Sequence, residues 1–103
     1  MKLAHEYGNL TEAGLDRFVE QMKLKLDQKH EKKGDSWTTC EIGYLEEALM
    51  HECYEYDNAP SLMKKANELV DVANFCMMLY NRYLTRWAEL VAAGVIKKCE
   101  EER

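Results

Sequence analysis

Two acidic pairs in this chain share one spacing: Glu52-x-x-Glu55 in ECYE and Glu68-x-x-Asp71 in ELVD. Positions three apart on a helix lie on one face, so each pair presents two carboxylates to the same point in space. The second pair belongs to ELVDVANFCMMLYNRYL, a run that otherwise reads as buried core, with Leu69, Val70, Val72 and Ala73 around Asp71. Burying an ionised carboxylate without a partner is costly, and such groups neutralise, pair or bind metal. Four in one place need compensating positive charge. Hard divalent cations supply it through oxygen-rich shells, and Mg²⁺ is the usual ion where phosphates share the shell. Acidic pairs at this spacing are also common on solvated helix faces, and for Glu52 and Glu55 alone that reading competes. Asp71, in its apolar setting, resists it.

The face carrying Asp71 extends by helical arithmetic. Steps of seven and eleven residues return to nearly the same side of a helix, so Lys64, Glu68, Asp71, Met78 and Arg82 fall close to one line, with Asn74 beside it. Cation, carboxylates, amide and cation in line suit a metal-bound polyphosphate, with Lys64 and Arg82 meeting phosphate oxygens. A Lys and an Arg on a helix are also ordinary solvated residues. A di-iron or di-manganese carboxylate bundle is the rival metal site, but it needs Glu-x-x-His motifs. Here His51 follows Glu47 by four, and Asp27-x-x-His30 has the wrong acid. No Cys or Ser has an evident His partner for nucleophilic catalysis.

Three helices must position these groups. Leu15, Phe18, Val19, Met22 and Leu26 follow the amphipathic helical pattern. The first helix therefore begins near Thr11 and stops at Gly34, behind lysines that suit a helix C-terminus. GDSWTTCEIG reads as a loop whose Ser36, Thr38 and Thr39 offer caps for a second helix over about Cys40 to Asp57. A turn at DNAPS follows, with Asn58 or Ser61 as cap, Pro60 at or just before the first turn, and a third helix running to about Ala93 and closing at Gly94. Helices two and three then pack antiparallel, and the two acidic pairs face each other. The third helix would be roughly 50 Å long, with a break expected near Asn81 or Thr85. It is apolar around most of its circumference, and two other helices cannot cover it. That implies a homo-oligomer whose subunits complete each other's bundle.

The bulk numbers frame this as one small domain over residues 1–103, all-α, with 47% hydrophobic and 32% charged residues, one Pro and five Gly. A net charge of −5 and no long basic patch argue against a nucleic-acid partner. Cys40, Cys53, Cys76 and Cys99 form no C-x-x-C and read as free thiols of a reducing cytoplasm. His5, Glu6 and Asn9 interrupt any signal-peptide core, no stretch is long and apolar enough to span a membrane, and the tail KKCEEER reads as a frayed end.

KKGDSW, then YLEEALMHECYEY, then ELVDVANFCMML resembles the MazG-like, all-α nucleoside triphosphate pyrophosphohydrolases of the short single-domain type. The resemblance covers about Lys29 to Leu79, and DVANFCMM with the upstream Lys-Gly-x-x-Trp gives it most of its specificity. It implies a helical bundle assembled as a homodimer or homotetramer. It also implies Mg²⁺, with Mn²⁺ as a substitute, held by Glu52, Glu55, Glu68 and Asp71, and hydrolysis of a nucleoside triphosphate to monophosphate and pyrophosphate. Asn74 would contact sugar or base, and Lys33 and Trp37 would lie near the substrate. Trp37 would stack on a base or anchor its loop to the core. Many members carry another Glu just before each pair; here His51 and Asn67 stand there. That lowers the negative charge and leaves the number of metals open.

In such a site Glu52 or Glu55 would orient or deprotonate the water attacking the α-phosphorus; the sequence does not separate the two. Damaged nucleotides in a house-cleaning role, dUTP or dCTP, or dNTPs broadly all fit as substrates, while DVANF points away from phosphoribosyl-ATP pyrophosphohydrolases. The alternative is a helical oligomerisation or regulatory module of the same fold without catalysis. An enzyme of this kind gains thermal stability from Mg²⁺ or Mn²⁺: at ten times the Kd the gain is about 1.4 kcal/mol, a rise of several degrees in Tm. A plain bundle is indifferent to the metal, and a thermal melt in Mg²⁺ against EDTA separates the two.

Overall fold

The computed structural model describes residues 4–97. Among these the chain forms α1 (Ala4–Lys33), one 3-10 turn (Ser36–Thr38), α2 (Ile42–Asp57) and α3 (Leu62–Ala92), with no strand. The expected all-α class is what is observed. Cys99 and most of the KKCEEER tail lie outside the described residues.

Helix α1 starts seven residues before the expected Thr11. No Pro stands in this stretch, and Gly8 and Asn9 each cost a formed helix no more than about 1 kcal/mol, so propagation carries through them. The C-terminal end follows the expectation. Gly34 takes φ 55° and its N–H donates to the His30 carbonyl at 2.9 Å, the left-handed cap that only Gly adopts cheaply.

The hydroxyls expected to cap α2 do other work. Thr38 Oγ1 donates to the Asp35 carbonyl at 2.7 Å, and Thr39 Oγ1 turns back toward the Ser36 carbonyl. Helix α2 accordingly starts at Ile42, with Glu41 as N-cap and no side-chain cap. From across the fold, Arg82 Nη1 donates to the Trp37 carbonyl at 2.8 Å and pins this turn against α3.

The turn between α2 and α3 is closed at both ends. Asn58 Nδ2 donates to the Tyr54 carbonyl at 2.8 Å, while Ser61 Oγ accepts the Lys64 N–H at 3.2 Å as N-cap. Lys65 Nζ reaches back to the Tyr56 carbonyl at 3.0 Å and lies over the Tyr56 ring, which supports the end of α2. The expected break in α3 does not occur. Asn81 Nδ2 and Thr85 Oγ1 bond back to the carbonyls of Met77 and Asn81, so both polar side chains are satisfied within a continuous helix. At its end Gly94 (φ 76°) donates to the Val91 carbonyl and Val95 to that of Leu90, a Schellman closure.

Helices α2 and α3 run antiparallel, as Tyr56 beside Lys65 and Glu46 beside Tyr83 show. Their shared core is Leu45, Met78 and Leu79, joined by Leu26 of α1, Trp37 and Phe75. Helix α1 crosses α3 through its C-terminal half, where Asn74 Nδ2 donates to the Met22 carbonyl at 3.3 Å. Upstream of that crossing Leu15, Phe18 and Val19 are exposed. Cys40, Cys53 and Cys76 are free thiols, and no described helix is long and apolar enough to cross a membrane. Leu45 is 1% exposed, so Leu45→Ala should lower unfolding free energy by about 2–5 kcal/mol. Ser61→Ala should cost about 1 kcal/mol through the lost cap. Urea titrations of the two variants check both values and their order.

Candidate metal centre

The antiparallel hairpin sets Glu52 of α2 opposite Glu68 and Asp71 of α3. One carboxylate oxygen from each lies within 4.8 Å of the others, and all three residues are half-buried. Three of the four carboxylates singled out by spacing therefore meet. Glu55 does not join them: it is exposed, and its Oε1 lies 3.2 Å from His51 Nε2, one turn back on α2. The rotation of α2 that turns Glu52 inward carries Glu55 toward solvent.

The positive charge facing this cluster comes from α1. Lys25 Nζ sits 3.0 Å from Asp71 Oδ2 and donates to the Asn67 carbonyl at 2.8 Å. Lys29 Nζ lies 3.7 Å from Asp71 Oδ1 and 5.4 Å from the centre of the Phe75 ring. Asp71 is only 15% exposed and Lys25 23%, so this pair is screened less than a surface ion pair. Neither lysine was among the residues predicted from sequence. The available signal was their i, i+4 spacing beside Met22 and Leu26, which turns both toward whatever those two pack on.

Two lysines do not neutralise the whole cluster. Burial, the Asp71 charge and the Glu68 charge push the Glu52 carboxyl above its ordinary value of 4.5, against the lowering pull of Lys29. A hydrogen bond to Glu68 that only the protonated form can donate acts in the same upward direction. Crowded oxygen donors with one acid held toward neutrality are what a hard divalent cation would relieve, so the donor set fits Mg²⁺ or Mn²⁺ chemically. A buried acceptor stands nearby as well: Asn74 is 2% exposed, and its Oδ1 has no hydrogen-bond partner.

The other predicted site residues separate. Lys33 and Trp37 line a cavity of about 330 Å³ between the end of α1, the 3-10 turn and α3, with Phe75, Tyr44, Leu45 and Met78 among its walls. Lys29 borders this cavity too, and so links it to Asp71. Asn74 is buried at the α1–α3 crossing. Arg82 is engaged with Trp37, and its Nη1 lies 3.9 Å from Cys40 Sγ. Lys64 is exposed in the first turn of α3, where its N–H serves the Ser61 cap. The line from Lys64 to Arg82 thus divides into three places. Comparison with protein-family models, with curated proteins and with solved structures finds no match.

The raised Glu52 carboxyl fixes the sign of a pH effect. Its folded pKa lies above the unfolded one, so its contribution to stability is complete below the unfolded value and disappears as pH rises through the folded value. In EDTA, Glu52→Gln should therefore be more stable than wild type at pH 7. The gap should close as pH falls toward about 4.5. Urea denaturation of both proteins across that range measures it.

Proposed function

We propose that this chain is a Mg²⁺-dependent nucleoside triphosphate pyrophosphohydrolase that releases pyrophosphate and a nucleoside monophosphate, working in the cytoplasm as a homo-oligomer. One observation carries the reading: Lys29 lies 3.7 Å from Asp71 of the Glu52, Glu68 and Asp71 cluster and also lines a cavity walled in part by Trp37, Tyr44 and Phe75. A metal-competent carboxylate cluster linked by a lysine to a cavity with aromatic walls suits a ligand that is polyanionic at one end and aromatic at the other. The cavity volume falls within the usual range for small-molecule sites.

In this reading Glu52, Glu68 and Asp71 would hold Mg²⁺, or Mn²⁺ in its place. Such an ion would supply charge compensation for the phosphates and a lowered pKa for water. Glu52 is the base that takes the proton of the attacking water. Of the two candidates it is the one that faces the cluster, whereas Glu55 is exposed and paired with His51. With a cation held at Asp71, Lys25 and Lys29 would be the ammonium groups placed to donate to phosphate oxygens. That role passes to them from Lys64 and Arg82. Arg82 serves instead by holding the Trp37 turn, and Trp37 with Phe75 flanks the nucleoside.

A second reading, a helical oligomerisation or regulatory module without catalysis, draws support from the same ion pairs. Asp71 already has two ammonium partners and needs no metal to be tolerated. Pyrophosphate release separates the readings, assayed over a panel of dNTPs, NTPs and oxidised or methylated nucleotides with Mg²⁺ or EDTA. The expected result is metal-dependent release that falls by about 10²-fold or more in Glu52→Gln and is lost in Asp71→Asn. No release from any nucleotide, with wild type and both variants folded and oligomeric alike, would overturn the enzymatic reading and favour the module.

A further inference from the structure

Helix α1 is attached to the rest of the chain from one side only. Over residues 10–33, Met22, Lys25 and Leu26 are half-buried and every other residue is exposed. The fully buried side chains, Leu45, Val70, Asn74, Met78 and Leu79, all belong to α2 and α3. The α2–α3 hairpin thus holds its own core, and α1 lies across it with little apolar area to keep it there. Its other ties are polar. Lys25 Nζ meets the Asn67 carbonyl and Asp71, Lys29 Nζ stands near Asp71 and over Phe75, and Asn74 Nδ2 reaches the Met22 carbonyl. Two of these ties end on one half-buried carboxylate, where an ion pair is screened less than at the surface. Docking of α1 therefore depends on what else Asp71 binds.

The same helix is a wall of the cavity, which Leu26, Lys29 and Lys33 line together with Trp37 and Phe75. The chain leaves α1 through Gly34, at φ 55° and with no atom within 4 Å of where a Cβ would stand. Such a position accepts large backbone rotations. Just beyond it the 3-10 turn is fixed, because Arg82 Nη1 holds the Trp37 carbonyl at 2.8 Å. A helix tied mainly by charge, a free joint and a pinned turn after the joint are the parts of a lid.

We propose that α1 is a lid whose latch is the Lys25 and Lys29 contact with Asp71. The proposal rests on the divalent-cation site put forward above and adds its regulation. Lys25 and a divalent cation compete for the same carboxylate, so the docked lid weakens cation binding, and by linkage cation binding undocks the lid by the same factor. With Asp71 engaged, the two ammonium groups lose their partner and the cavity opens at its α1 wall. A polyphosphate at the cluster offers them new oxygens, and α1 redocks over the loaded site. Ion-paired Asp71 is then the closed, resting arrangement, and the lysines pass from latch to phosphate contact without leaving α1.

Two measurements on the full chain test this. Amide hydrogen exchange is followed by mass spectrometry in EDTA, in MnCl₂, and in MnCl₂ with inorganic tripolyphosphate. Mn²⁺ affinity is measured by electron paramagnetic resonance for wild type, Lys25→Met and Lys32→Met; Lys32 is exposed on the same helix, so its loss removes equal charge away from Asp71. The expected result is exchange over residues 22–33 that rises several-fold with MnCl₂ and slows again with tripolyphosphate, while α2 and α3 exchange no faster. Lys25→Met should bind Mn²⁺ about tenfold more tightly than wild type, and Lys32→Met like wild type. If wild type and Lys25→Met bind Mn²⁺ equally and α1 exchange does not change, the latch is overturned and the cation site stands. Binding by neither protein removes site and latch together. Exchange that rises with MnCl₂ but stays high with tripolyphosphate overturns the redocking.

Discussion

Asp71 is the constraint around which this chain is organised. It is a carboxylate on the apolar central helix, only 15% exposed, with Glu52 and Glu68 packed against it. Such a group is tolerated only where positive charge stands close by. In the structure Lys25 and Lys29 provide that charge, and reaching Asp71 fixes where α1 crosses α3. Burial first, and then the Asp71 and Glu68 charges, push the Glu52 carboxyl upward against the lowering pull of Lys29. The remaining negative charge gives the cluster its capacity for a divalent ion.

The other elements serve this arrangement. The Ser61 cap and the short turn set α2 against α3, so that Glu52 faces Glu68. The Arg82 bond to the Trp37 carbonyl holds the 3-10 turn over the end of α1, and that turn closes one wall of the cavity beside Lys29. A charged end and an aromatic end are thus built by different parts of the chain and joined by one lysine. Arg82 owes its place to the turn, and its loss would be felt in the cavity before the carboxylates.

Much of this was legible in the sequence, and the misses have physical causes. The ends of α3 were set by local chemistry, the Ser61 cap and the freedom of Gly94, and were read correctly. Three of the four acids meet because i, i+3 spacing and an antiparallel hairpin are both local facts. Glu55 departs because a helix face is finite, and the His51-x-x-x-Glu55 spacing that offers it another partner was visible. Lys25 and Lys29 were missed because a lysine on an amphipathic helix looks solvated until the crossing point is known. Arg82 and Trp37 lie far apart in sequence, and no periodicity reports such a contact. The start of α1 was placed late because weak helix formers such as Gly8 and Asn9 read as an end, although an established helix passes through them.

The central claim is that Glu52, Glu68 and Asp71 are a divalent-cation site now counterbalanced by Lys25. The most direct measurement is anomalous diffraction from crystals of the whole chain grown with Mn²⁺. The account predicts an anomalous peak among these three carboxylates, with the Lys25 ammonium drawn away from Asp71. A peak elsewhere, or none, with Lys25 still on Asp71 at saturating Mn²⁺, would contradict it and leave the cluster as an internal ion-pair network.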